Sequence, residues 1–211
     1  YLNHEFGCVY KPEADFRFCM MYPDTYELGQ ANQALRILVN VVNAVDGMVA
    51  ERAFLPAAEF CDAMRAEGLP LFSIESCAPV AEFDALGVTL SHELVATNVL
   101  EALDLAGIPL HAEDRGEDDL FVIGGGPCSF NPEPYALFFD IFNIGEGEEA
   151  LPECLQAIRR LRAEGACRAD ILRAIARMDG FYVPSLYRWR EEEQAQQVGS
   201  WIEPLEEGLP T

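Results

Sequence analysis

Short apolar runs alternate with amphipathic stretches along this chain, and that alternation limits the fold more than any other feature. The run "RFCMMY" (17–22) reads as a strand, and 27–46 as a helix in which Leu28, Leu35, Ile37, Leu38, Val41 and Val42 recur at helical spacing before Asp46-Gly47. "MVAERAFL" (48–55) gives a second strand, and 57–67, between Pro56 and Gly68, a second helix. "LFSIE" (71–75) is a short strand candidate and "ALGVTLS" (85–91) a stronger one, followed by a helix over 94–107. "LFVIGGG" and "IFNIG" supply two more strands, and 148–165 and 168–178 two more helices.

Strands separated by helices of this length pair in parallel through right-handed crossovers, which predicts an α/β fold with a doubly wound, mainly parallel sheet. Principal strands starting near 17, 49, 85, 120 and 141 make it five-stranded and flavodoxin-like, an order in which ligands sit outside the carboxyl ends of the strands, beside the first one. Three unusual loops fall at those ends: 23–29, 124–131 and 145–149. The domain is expected to span 16–165, behind an N-terminal arm of 1–15. Residues 166–211 hold a helix and two aromatic-rich extended pieces that suggest a hairpin; the segment is too short for a core of its own and reads as a linker. Opening at Tyr1 and closing in "EEGLPT", the chain reads as a piece of a longer protein.

Charge and residue usage exclude several functions. Fourteen Lys plus Arg face 36 Asp plus Glu, a net charge of −22 that repels a phosphate backbone, so direct nucleic-acid binding is not expected. Lys11 is the sole lysine and lies in the polar arm, which removes a Walker A lysine, a Schiff-base lysine in the body of the fold, and the lysine of a phospho-receiver site. No apolar run reaches the roughly 18 residues a membrane span needs, so no membrane association is expected. Seven scattered cysteines suit reduced thiols in the cytoplasm better than a disulfide framework. None stands in a CxxC, CxxxCxxC or Cys/His zinc spacing, so neither an iron–sulfur cluster nor a structural zinc is expected within this chain alone.

Asp24-x-Tyr26-x-x-Gly29, at the first strand-to-helix turn, resembles the Asp-x-His-x-x-Gly motif of cobalamin-binding flavodoxin-like domains. "VIGGGPCSFNPEP" followed by "IFNIGEGEEALPE" resembles the paired signature of the cobalamin-binding-type domains that precede radical S-adenosylmethionine (SAM) cores, and "ALGVTLS" resembles their third strand. The likeness runs in order over 16–165 and extends to "GFYVPSLY". It implies that Asp24, Tyr26 and Gly29 border the corrin face, and that Ser91, Gly124, Gly125, Gly126, Pro127, Gly145, Glu146 and Gly147 hold the nucleotide tail. It implies a downstream radical SAM core as partner, where the [4Fe-4S] cluster and S-adenosylmethionine would sit, since no CxxxCxxC run occurs here. Tyr26 departs from the pattern: a phenol stands where the family has an imidazole, so axial ligation by nitrogen is lost.

The residues give their own reasons for these loops. Gly124, Gly125 and Gly126 let a flat or phosphorylated ligand approach the backbone, and Gly145-Glu146-Gly147-Glu148 sets carboxylates at a helix start, where they suit the dipole and accept hydrogen bonds from ribose or amide groups. The same glycines also suit tight turns that bind nothing. His92 follows Ser91 and is a candidate nitrogen donor, whereas His4 and His111 lie far off in sequence; Cys128 is an ordinary exposed thiol. Two alternatives share the fold: a cofactor-free scaffold capping a catalytic core, and a flavodoxin-like module for another ligand. A receiver domain is disfavoured by the missing lysine, and a flavodoxin by an Asp in the loop where phosphate would bind.

Overall fold

The computed structural model describes residues 8–194 and 197–210; His4 lies outside them. Eight strands and six helices follow in order: β1 (Phe16–Tyr22), α1 (Tyr26–Gly29), α2 (Gln33–Asn43), β2 (Met48–Phe54), α3 (Ala58–Glu67), β3 (Ala85–Thr89), α4 (Ala96–Leu105), β4 (Phe121–Gly125), β5 (Ile141–Asn143), α5 (Gly147–Ala163), α6 (Arg168–Ile175), β6 (Phe181–Tyr182), β7 (Tyr187–Gln194) and β8 (Gln197–Pro204). The main sheet has the order β2-β1-β3-β4-β5-β6. Its first five strands are parallel, as expected, and the two-residue β6 adds an antiparallel edge. The chain crosses back at the β1/β3 neighbourhood, so the loops after β1 and β3 diverge to opposite sides and leave a crevice between them.

Alternate residues of each strand enter one of two cores. Cys19, Met21, Ala53, Leu86 and Val88 pack with α3 and α4, and Phe18, Met20, Ala50, Phe121 and Ile123 with α2, α5 and α6. Both faces are therefore covered, as parallel sheets require. The expected strand over 71–75 does not form. Phe72 makes a single bridge to Pro79, while Ile74 N–H donates to Arg52 O at 2.8 Å, so the segment runs along β2 as a cover. It is fastened there by buried charge: Glu51 accepts from Ser73 Oγ at 2.6 Å, and Arg52 Nε meets Glu75 at 2.6 Å. A covered edge does not recruit another chain.

The single helix expected over 27–46 is two. Gly29 is buried where an added Cβ would stand 2.5 Å from the Phe54 ring, so α1 ends pressed onto β2. The chain then restarts at Asn32, whose Oδ1 accepts from Leu35 N–H at 3.0 Å as an N-cap. Lys11 closes the far end, its Nζ donating to the carbonyls of Asn43, Val45 and Met48.

Helix α6 and strand β6, which a boundary at 165 sets outside the domain, join its core: Ile171, Ile175, Phe181 and Val183 are buried. Asp140 accepts from Arg115 Nη1 at 2.9 Å and Arg168 Nη2 at 2.8 Å, and all three side chains are buried. Burial draws Arg115 below an arginine's ordinary value, against the opposing pull of Asp140. The expected hairpin is β7–β8, paired antiparallel from Tyr187↔Pro204 to Gln194↔Gln197.

Candidate functional site

The loops at the carboxyl ends of β3, β4 and β5 meet α2 around a crevice of about 190 Å³, lined by Met20, Ala34, Ile37, Leu38, Thr89, Gly125, Gly126, Asn143 and Gly145 to Glu148. Sequence and geometry agree here: the triple-glycine and Gly-Glu-Gly-Glu loops, twenty residues apart, converge on one place. Ligand pockets for whole small molecules run to about 300–1,000 Å³, so this crevice has room for part of a ligand.

The three glycines of 124–126 differ in what they do. An added Cβ on Gly124 would stand 2.8 Å from the Phe142 ring, so its bareness serves packing. Gly126 has φ +111, and a Cβ there would stand 2.9 Å from Leu90 O, so its bareness serves the turn. Gly125 has nothing within 4 Å of the same construction and opens into the crevice, as does Gly145, with φ +118. Pro127 starts a short 3-10 turn, held by Ser129 Oγ donating to Gly126 O at 2.7 Å and to Asn143 O at 2.9 Å. Glu146 is the N-cap residue of α5 but makes no side-chain cap, and Gly147 packs where a Cβ would stand 3.1 Å from Leu38 Cδ2.

Two hydroxyls at the end of β3 are buried without a hydrogen-bond partner: Thr89 Oγ1 and Ser91 Oγ. A buried hydroxyl left unpaired costs about 1–3 kcal/mol, and such groups ask for an explanation. Thr89, 6% exposed, is the one that lines the crevice, and sequence reasoning missed it in favour of Ser91 two residues on. Asn143, also 6% exposed, was missed as well. Its Nδ2 donates to Gly180 O at 3.3 Å. The signal for both is the same, a polar residue ending an otherwise apolar strand.

The loop after β1 turns the other way. Asp24 Oδ1 accepts from its neighbour Thr25 N–H at 2.7 Å. Tyr26 stacks edge-on against Phe54 with ring centroids 5.3 Å apart, and it lines a separate apolar pocket of about 380 Å³ with Phe60, Met64 and Phe72. The Asp24, Tyr26 and Gly29 positions thus lie on the β2 side of α1, while Ser91 and the glycine loops lie on the other. His92 is exposed and outside the crevice lining. Large apolar side chains stand exposed on the loops around the carboxyl ends: Leu28, Leu94 and Phe130, the last two at 85% and 72%. A wider hollow, about 1030 Å³, is an open surface at the amino ends of the strands, where Arg159 and Arg162 already pair with Asp15 and Asp84.

Among the described residues no three or more His, Cys, Asp or Glu converge to hold a metal ion, and no helix is long and apolar enough to cross a membrane. None of the seven cysteines is in a disulfide; Cys19 and Cys154 are buried, which pushes both well above a thiol's ordinary value.

Residues 34–184 match a family model described as radical SAM proteins, N-terminal. The chain is also similar to a solved structure of the radical SAM methyltransferase TsrM from Kitasatospora setae, determined with its tryptophan substrate and a SAM analogue. The match has 18% identity and a TM-score of 0.46, and it covers 72% of this chain but only 27% of that one. No curated protein matches the chain.

Proposed function

This chain belongs to the family of radical SAM protein N-terminal regions, and from that premise we propose that it is a cofactor-binding accessory domain that holds the nucleotide tail of cobalamin in the crevice at the carboxyl ends of β3, β4 and β5. The observation that carries the reading is the unpaired Thr89 hydroxyl, buried in a crevice that the two glycine loops leave open. The volume suits a tail rather than a whole cofactor.

The residues fit such a group in three respects. Gly125 and Gly145 leave space that a side chain would fill. Thr89 offers a hydroxyl that folding alone does not satisfy. Ile37 and Leu38 give apolar surface for a flat ring. Pro127 and Gly124 act one step back, shaping the turn and the packing behind Gly125; Gly126, Glu146 and Gly147 form the wall. Ser91 follows Thr89 just past the lining, and Asp24, Tyr26 and Gly29 lie apart from the crevice, on the β2 side of α1.

When bound, cobalamin supplies a cobalt centre able to carry a methyl group or a radical. The chain's own residues bind and orient the tail, and the exposed Leu28, Leu94 and Phe130 offer apolar surface to whatever lies above. The partner in this reading is a radical SAM core in the same polypeptide, which holds the [4Fe-4S] cluster and S-adenosylmethionine, with the hairpin segment after Val183 as the connection.

A second reading is favoured by the placement of Tyr26. With that phenol packed on Phe54 and His92 in solvent, no imidazole among the described residues lines the crevice, which suits a scaffold that caps the core and binds no cofactor. Titrating the chain with hydroxocobalamin, desalting and recording the corrin absorbance separates the two. The cofactor reading expects saturable retention near one equivalent, lost in Gly125→Trp. Absence of retention supports the scaffold; retention indifferent to that substitution puts the cofactor somewhere other than this crevice and overturns both readings.

A further inference from the structure

On the reading just given, we infer that the crevice chooses among cobamides by the edge of the tail base, taking a purine with an exocyclic amine over 5,6-dimethylbenzimidazole. The two bases are similar in area and differ at their rims. An aminopurine carries N–H donors and ring-nitrogen acceptors. The benzo rim of dimethylbenzimidazole carries two methyl groups and neither.

The inner end of the crevice is polar. Thr89 Oγ1 is buried with no partner, so a ligand that meets it with a donor or an acceptor relieves a cost that the folded chain already bears. Asn143 lies on the far side of Gly125 from it, two strands along, with Nδ2 held by Gly180 O; its Oδ1 lies 3.3 Å from the point a Cβ on Gly147 would occupy, at the crevice wall. The first amides of α5 open on the same space with no side-chain cap from Glu146. Apolar surface comes from α2, through Ala34, Ile37 and Leu38, and suits the faces of a flat ring rather than its rim. A methyl-bearing rim set against Thr89 Oγ1 would leave that hydroxyl facing carbon. Sites built to hydrogen-bond reject analogues lacking the matching group far more strongly than apolar pockets reject a methyl.

The test compares three ligands on the intact chain: cobinamide, which has no tail base, the dimethylbenzimidazole cobamide, and the adenine cobamide. Dissociation constants come from ultrafiltration with corrin absorbance. The expected order is adenine tightest, at least tenfold over dimethylbenzimidazole, with cobinamide weakest. In Thr89→Val, whose side chain keeps the volume and whose circular dichroism should match the parent, the adenine advantage should fall below threefold. Dimethylbenzimidazole binding equal to or tighter than adenine, with cobinamide still weakest, overturns the inference and leaves the cofactor reading standing. Cobinamide binding as tightly as both cobamides, or no binding by any of the three, overturns the cofactor reading and this inference with it.

Discussion

Alanine substitutions at Gly124 and Gly126 should destabilise the chain and the one at Gly125 should not, although the residues are consecutive and identical. At Gly124 the new Cβ would stand 2.8 Å from two atoms of the Phe142 ring and 3.1 Å from Phe139, both rings fully buried and unable to swing aside. Overpacking of this kind costs about 1–3 kcal/mol. At Gly126 the φ of +111 and a contact of 2.9 Å with the backbone oxygen of Leu90 combine; a side chain in such a region costs about 1–3 kcal/mol before any clash is counted. At Gly125 nothing lies within 4 Å. Alanine there removes only the entropy penalty of glycine in a strand, a gain of about 0.5–1 kcal/mol. Urea unfolding followed by far-ultraviolet circular dichroism reads these directly. With a slope of about 2 kcal/mol per molar, a loss of about 2 kcal/mol moves the midpoint down by roughly 1 M. Midpoints about 1 M lower for Gly124→Ala and Gly126→Ala, and unchanged or slightly higher for Gly125→Ala, are expected. Equal losses at all three would refute the division of labour and the claim that Gly125 opens into space.

Three further predictions follow from the buried charges and thiols. Asp140→Ala would leave the Arg115 and Arg168 guanidinia buried without their carboxylate, and a loss of about 3–5 kcal/mol is expected by denaturation, a value under 1 kcal/mol contradicting the account. A thiol reagent under native conditions should label Cys8, Cys77 and Cys167 quickly and leave Cys19 and Cys154 untouched until the chain is unfolded; native labelling of either buried thiol would show the core to be open. Burial holds the Glu75 carboxyl above its ordinary value of 4.5, with Arg52 opposing. A group with a raised folded pKa stabilises fully below its unfolded value and loses that contribution as pH rises through the folded one. The stability of the parent minus that of Glu75→Gln should therefore fall as pH rises above 4.5, and a difference that grows with pH would reverse the sign.

Much of this architecture is written in local pattern. The five parallel strands stand out because each is a short apolar run that both faces of the sheet bury, and the hairpin because two aromatic-rich pieces flank a polar stretch of sequence. The break at 30–32 is hidden because its cause is tertiary: the apolar periodicity of Leu28 to Val42 continues through it, and only the Phe54 ring under Gly29 ends the first turn. Strand β6 is hidden because two residues carry no period, and it is fixed from outside by Tyr182 Oη donating to Glu133 at 2.5 Å. At the site, the convergence of the two glycine loops is legible because both follow strands whose order the alternation dictates. Which glycine faces the crevice is not, since it depends on where Phe142 and Leu90 sit. Thr89 escapes notice because a threonine in a buried strand reads as an ordinary β-former, and only the absence of a partner for its hydroxyl sets it apart. The Asp24-x-Tyr26-x-x-Gly29 spacing shows the converse: a pattern that draws the eye to a cofactor, whose Tyr26 and Gly29 here pack on Phe54 of β2 while Asp24 bonds within its own turn.

Hydrogen exchange with and without saturating hydroxocobalamin would locate the cofactor on the fold, because it reports where a ligand acts as well as whether it binds. Protection gathered at residues 89–91, 124–128 and 145–149, with the 54–72 wall of the apolar pocket unchanged, is the predicted result. Protection centred on Phe54, Phe60 and Phe72, or an exchange pattern that the cofactor leaves unaltered, would contradict it.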